Sequence, residues 1–488
     1  MKKYIFLFLF LFTLFSWSQT DFTSNWEDFY SYNNVKDFIK VNSKIYAVTD
    51  NAVFIFDENS QEITKLSSIH GLSGETTTSL YFSEAFQKLI IGYSTGLIEV
   101  VSDNGKITIA NDIERLTITG EKEIHNIYEY NNKLYLSTPF AIVVYDIEKQ
   151  QYGDTYFIGN NSTPISINQV AVFNDIIYAA TELGIFSADI NGQNLIDFNN
   201  WKQPEGDFIG NFKTVEVFNN QLFTSKNNSF YKINSPTTLQ IINSLSDNIL
   251  NLKASNDFLT ITTLKSAYVY NVSLIQELAT VTTAEYNYNL HASYAENNTI
   301  YLGTTEYGIL QRSFSDAVRH FEIHPQGPTS NDIFSITAEN NNLWVVYGGY
   351  DGAFTPLGKK LGYDHFNGDV WQNESFNSVF PARDLVHVTI DPNNLDKAFI
   401  SSWNDGILVI EEGNVQTLWN DQNSGLERLV NPGFPDFYSI RISGTAFDNQ
   451  GNLWVANSWV NKSLKKLSSN GTWSEFDLSS IMTNGPLV

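Results

Sequence analysis

One short strand returns along this chain. Lys44-Ile45-Tyr46-Ala47 recurs as Lys88-Leu89-Ile90-Ile91, Lys133-Leu134-Tyr135-Leu136 and Asp175-Ile176-Ile177-Tyr178-Ala179, and it continues as far as Asn452-Leu453-Trp454-Val455. With Tyr46, Ile90, Tyr135, Tyr178, Phe223, Leu259, Tyr301, Trp344, Phe399 and Trp454 as anchors, the steps are 44, 45, 43, 45, 36, 42, 43, 55 and 55 residues. A period of about 40–45 residues with several strands per unit predicts a β-propeller. Around each anchor the order is the same: a strand, a turn such as Phe173-Asn174-Asp175, the anchor strand, a Gly-bearing turn, then a further strand. Gly96-Leu97-Ile98-Glu99 and Asp405-Gly406-Ile407-Leu408 repeat that last step. Ile, Val, Phe and Tyr alternate with polar residues, and no segment keeps a helical period. The anchor aromatics are packing residues first, because one four-stranded blade cannot bury its two faces by itself.

Ten units exceed the roughly 4–8 blades of one ring, so the expectation is an all-β chain of tandem β-propellers. The repeats change near residue 330, where spacing lengthens and Trp enters the anchor position. His324-Pro325-Gln326-Gly327-Pro328-Thr329-Ser330 reads as the boundary. The predicted division is a leader over 1–18, a first, seven-bladed propeller over 19–327 and a partial second propeller over 328–488. Three units do not close a ring, so the chain is read as truncated within the second propeller.

Met1-Lys2-Lys3 followed by the apolar run Tyr4 to Phe15, with Ser16 and Ser18 before Gln19, has the build of a secretory signal peptide. The run is shorter than the roughly 20 residues a membrane span needs, so no span is expected in the mature chain. Export to the periplasm or the outer cell surface follows. The chain has no cysteine, which rules out disulfides, thiolate zinc sites, thiol nucleophiles and a lipid-anchored cysteine. Its formal net charge is −24. That balance argues against a nucleic-acid partner, which needs a basic surface.

No sequence motif singles out a reaction. His320-Phe321-Glu322-Ile323-His324 has two histidines four apart, but Glu322 is misplaced for a zinc protease and Pro325 follows at once. Asp364-His365-Phe366-Asn367-Gly368-Asp369 lacks the spacing and closing Glu of a calcium loop and reads as a loop before Val370-Trp371. Nucleophile elbows, phosphate loops and dinucleotide fingerprints are absent. No cofactor and no metal are expected, and the chain is read as a binding protein, not an enzyme. The irregular stretch Tyr347 to Trp371 interrupts unit eight with Gly, aromatics and the basic pair Lys359-Lys360. Long insertions between blade strands sit on a propeller face, where ligands bind; the ordinary alternative is a solvated loop. The candidate ligand-binding residues are Tyr350, Lys359, Lys360 and Trp371, with Arg383 and Trp403 in the next unit.

Leu-Trp-Val-Val-Tyr-Gly-Gly-Tyr at 343–350, the Gly-Lys-Lys-Leu-Gly loop, Asn-Gly-Thr-Trp-Ser-Glu-Phe at 470–476 and Glu27 to Tyr32 after the leader together resemble the PorZ family of the type IX secretion system. The resemblance implies two seven-bladed propellers followed by a β-sandwich sorting domain. It further implies a non-enzymatic subunit of a cell-surface attachment complex. Its partners would be a sortase, an outer-membrane shuttle and anionic lipopolysaccharide, which the subunit presents to the sortase. It assigns no ligand residue, since no short motif defines them. Two other readings stand beside it: the oligosaccharide-sensing periplasmic propeller of a hybrid two-component regulator, and a propeller-borne glycan hydrolase or lyase.

Overall fold

The computed structural model describes residues 26–192, 194–431, 433–434 and 436–478. The expected leader and the end of the chain lie outside the described residues. The protein is all-β, with ten antiparallel sheets among the described residues, nine of four strands and one of three. Helix is confined there to single 3-10 turns such as Ser68–His70. Every anchor of the repeat falls in the second strand of its sheet, from Tyr46 in Lys44–Val48 to Trp454 in Leu453–Ser458. All but Trp454 are buried.

The chain divides into two compact units, Met1–Pro325 and Gln326–Val488. The first holds seven sheets and the second three. In five sheets the first and second strands are joined by two residues that both have positive φ: Asn131-Asn132, Asn174-Asp175, Asn219-Asn220, Asn297-Asn298 and Asn340-Asn341. This is the type I′ hairpin, whose twist matches its strands and whose backbone Asn and Asp tolerate. Local sequence therefore sets the register of these hairpins.

Packing then arranges the sheets. In the first unit each sheet shares a hydrophobic cluster with the next. Tyr46 and Val53 pack with Leu89 and Ile91, and Tyr178 and Ile185 pack with Phe212 and Leu222. The last interface joins the ends of the unit. Tyr32, Phe38 and Ile45 pack with Ala292, Tyr301 and Ile309. Val35 N–H donates to the Thr304 carbonyl at 2.9 Å, and Lys40 Nζ bridges Glu296 at 2.8 Å and Glu58 at 3.2 Å. The ring is closed, so both faces of every sheet are covered. That is why middle strands such as Val53–Asp57 are apolar on both sides. Each fully buried anchor contributes on the order of 1.5–3 kcal/mol before chain entropy is charged.

Among the described residues the fourth sheet of the first unit has three strands, Ile167–Phe173, Ile176–Thr181 and Ile185–Asp189. Beyond them the chain turns through short 3-10 segments, and Ser187 and Lys202 exchange backbone hydrogen bonds in place of a ladder. The second unit corrects the reading of its insertion. Tyr363–Phe366 and Trp371–Glu374 are strands, so the irregular segment is only 347–362. The stretch from Asp364 is not a loop. Its first residues continue the sheet, and the turn is 367–370, closed by Asn367 N–H on the Val370 carbonyl at 3.3 Å. Asp364 is buried, and its carboxylate is satisfied there by Thr329, which donates from its hydroxyl at 2.8 Å and from its backbone N–H, and by the Tyr347 hydroxyl. Burial still raises the carboxyl of Asp364 above its ordinary range.

Candidate functional site

Two places gather polar side chains where a ligand could meet them. The first is the axis of the first unit, where the opening strands of its seven sheets meet. Five of these strands shift register near their start: between Thr77 and Ser79, Ile167 and Gln169, Phe212 and Thr214, Ile249 and Asn251, and Leu290 and Ala292. A bulge leaves one residue without a cross-strand partner and re-aims its side chain. Asn168, Lys213 and Leu250 are such residues, and they line an axial cavity of about 420 Å³.

Glu216 lies on the wall of that cavity and accepts from Gln169 Nε2 at 3.1 Å. Burial raises its carboxyl to about 7, against the smaller opposing effects of Gln169 and Lys253. Lys253 is held by Asp37 and the Phe38 carbonyl and lies 5.0 Å over the Phe38 ring. His125 sits at the same wall, with Nδ1 donating to the Ile167 carbonyl at 2.7 Å and Nε2 3.0 Å from Glu123. Burial lowers its pKa, but Glu123 and Ile167 outweigh that and the net direction is up.

The second place is the loop side of the second unit. Segment 347–362 folds back over the following sheets. Buried Asp384 holds it, accepting from Gly358 N–H at 2.8 Å and Lys359 N–H at 2.9 Å. Burial raises the Asp384 carboxyl, while those two N–H groups oppose the shift. The loop thereby delivers Tyr350 to within 4.7 Å of the Trp403 ring and 5.4 Å of Phe354. Trp403 is fully buried and donates through Nε1 to the Phe354 carbonyl at 2.9 Å.

Arg441 closes the group. Its Nη1 donates to the same carbonyl at 3.1 Å, and its guanidinium stands 5.8 Å from the Trp403 ring and 5.6 Å from the Trp459 ring. Such cation–π contacts suit a guanidinium, which is planar and weakly hydrated. Arg441 is only 9% exposed, and burial lowers its pKa. Phe354 (φ 62°) and Trp459 (φ 65°) both adopt left-handed backbone while keeping 37% and 40% of their surface in solvent. Bulky residues avoid that region at a cost of roughly 1–3 kcal/mol each, and such strain concentrates at binding sites.

The structure thus brings Tyr350 and Trp403 together and places Lys359 and Arg383 beside them through Asp384. The charges of the latter two are already engaged: Lys359 Nζ lies 2.7 Å from Asp332, and Arg383 forks onto Asp405 at 2.7 and 3.1 Å. Lys360 points elsewhere, 5.9 Å from the Phe376 ring, and Trp371 lies on the outermost strand of its sheet against Phe366 at 5.4 Å. Sequence reasoning missed Arg441, Trp459, Phe354, Glu216 and Lys213. A signal for Trp459 was present, since Ser402-Trp403 recurs as Ser458-Trp459 after the anchor strand of the next unit. His320 and His324 have different partners: His320 packs tilted against Tyr286 with ring centroids 4.8 Å apart, and His324 approaches Glu322 at 3.5 Å. Among the described residues no group of three or more His, Asp or Glu side chains is arranged to hold a metal ion, and no helix is long and apolar enough to cross a membrane.

Residues 45–202 match the family model of the PorZ N-terminal β-propeller domain of the type IX secretion system. Among solved structures the chain is similar to PorZ of Porphyromonas gingivalis, described as an essential bacterial surface component of that system. The TM-score is 0.78 at 18% identity, over 93% of this chain and 60% of that one. The chain therefore spans about three-fifths of the length of that protein. It also matches the extracellular domain of a putative hybrid two-component system of B. thetaiotaomicron, with a TM-score of 0.39 at 16% identity, over 90% of this chain and 59% of that one. No curated protein matches the chain.

Proposed function

We propose that this PorZ-like β-propeller protein is a non-catalytic scaffold of a type IX secretion attachment complex at the cell surface, where it binds anionic lipopolysaccharide and assists the sortase. The observation that carries this reading is the match of residues 45–202 to the PorZ propeller, together with the PorZ fold over 93% of the chain. The chemistry of the second unit supports it. A loop carrying Tyr350 and Lys359, pinned by Asp384 and packed on buried Trp403, sets the guanidinium of Arg441, unpaired among the described residues, beside the partly exposed Phe354 and Trp459 within an acidic protein. Long-range repulsion from a net charge of −24 would oppose any polyanion that did not meet local cations. Tyr350, Lys359 and Arg383 belong to this proposed face, buried Trp403 supports it from beneath, and Lys360 and Trp371 would contact only a ligand long enough to run beyond it.

The test uses the producing organism. Deleting the gene is expected to leave cargo proteins without their attached lipopolysaccharide, and cross-linking in the intact cell is expected to recover the sortase with this chain. Normal cargo modification in the deletion strain, or a cross-linked set without the sortase, would overturn the proposal.

A further inference from the structure

We infer that Arg441 in the second unit is the anion-binding centre of a saccharide site, taking the carboxylate or phosphate of an acidic sugar whose ring stacks on Trp459. The inference rests on an imbalance of charge. Arg441 is nine-tenths buried, yet among the described residues no carboxylate forms an ion pair with it. Among the described residues the one hydrogen bond of its guanidinium goes to a neutral carbonyl, that of Phe354, and its buried Nε has no partner. An uncompensated buried charge is strongly unfavourable, and proteins ordinarily pair it. This protein has carboxylates to spare, with 53 acidic residues.

The neighbouring arginine shows the contrast. Arg383 is satisfied by the bidentate carboxylate of Asp405, two residues after Trp403. Two residues after the matching Trp459 the chain carries Asn461 instead. Glu427, before the last sheet, and Glu475, within it, are also engaged, since both meet Lys465. The site therefore lacks an anion that its architecture provides elsewhere.

The rings around Arg441 indicate what bears that anion. Trp459 and Phe354 are held in left-handed backbone with their rings partly in solvent. An exposed indole beside a charged fork fits a pyranose: the C–H face of the sugar covers the ring while its acidic substituent reaches the guanidinium. A guanidinium reads carboxylate and phosphate by the same fork geometry, so the two sources are separated by experiment. This assignment rests on the anion-binding part of the function proposed above.

The purified chain is titrated calorimetrically with trigalacturonate, with mannose 6-phosphate and with neutral maltotriose. Binding of at least one acidic probe and none of the neutral one is expected; which acidic probe binds tells carboxylate from phosphate. Arg441→Gln should weaken that binding by about tenfold or more, the scale of a lost charged hydrogen bond. Arg441→Lys should restore part of it, and Trp459→Ala should weaken it with the fold intact by circular dichroism. Arg441→Met should leave the melting temperature equal or raise it, because a purely structural arginine would lower it. Acidic binding that survives Arg441→Gln unchanged overturns this site but leaves the anion-binding reading standing. Absence of acidic binding by folded protein overturns both, while the sortase association stays separately testable by cross-linking.

Discussion

Glu216 is a carboxyl placed where a charge is costly. Its folded pKa is raised to about 7 by burial at the axis of the first unit, whereas an unfolded glutamate titrates near 4.3. The folded state thus binds the proton more tightly. Stability is greatest below the unfolded value, falls as pH rises between the two, and carries the full penalty above about 7. Glu216→Gln is expected to raise the unfolding free energy by about 1–2 kcal/mol at pH 8 and to change little at pH 4, read from urea melts at both pH values. A second residue, Asp384, holds segment 347–362 through two backbone N–H groups. Asp384→Ala leaves both unpaired, and a loss of about 1–3 kcal/mol with faster amide exchange at Gly358 and Lys359 is expected.

Among elements, the hairpins show how short-range chemistry fixes long-range register. The Asn and Asp pairs of the first hairpins set positive φ at both turn positions, so the next strand can pair in only one alignment. Gly406 opens the third strand of its sheet with φ 108°, and a Cβ there would lie 2.0 Å from the Trp419 carbonyl oxygen. Gly406→Ala therefore meets both backbone strain and a collision with an adjacent strand. A loss of about 1–3 kcal/mol or more is expected in chemical denaturation, and an unchanged midpoint would contradict this strand packing.

At the scale of the molecule, the first unit is stabilised by closure. Phe38 packs in the cluster that joins its first and last sheets and would crowd any side chain at Gly303. Phe38→Ala should cost about 3–5 kcal/mol. Hydrogen exchange should show lost protection in sheets of the first unit, while strands of the second unit such as Leu385–Asp391 keep theirs. Equal loss in both units would mean that they unfold as one cooperative body.

The repeat of the anchor strand, the Asn-rich turns and the alternation of apolar residues were enough to determine a propeller, because each depends on residues close in sequence. That Tyr350 sits in an irregular segment was also legible, since an aromatic in a Gly-rich insertion stands out; its contact with Trp403 in the next unit was not. The sequence could not show that the fourth sheet has three strands among the described residues, nor that Asp364 is a buried acceptor within a strand. Those outcomes depend on hydrogen bonds from residues such as Thr329, 35 positions away. Arg441 escaped notice for the same reason. In Ser439-Ile440-Arg441-Ile442 it has the alternation of an ordinary solvent-facing strand residue. Only the tertiary structure sets Phe354, 87 residues earlier, and two tryptophans around it. Burial and charge balance are properties of neighbours in space, and a cation without a counter-ion is visible only once those neighbours are in place.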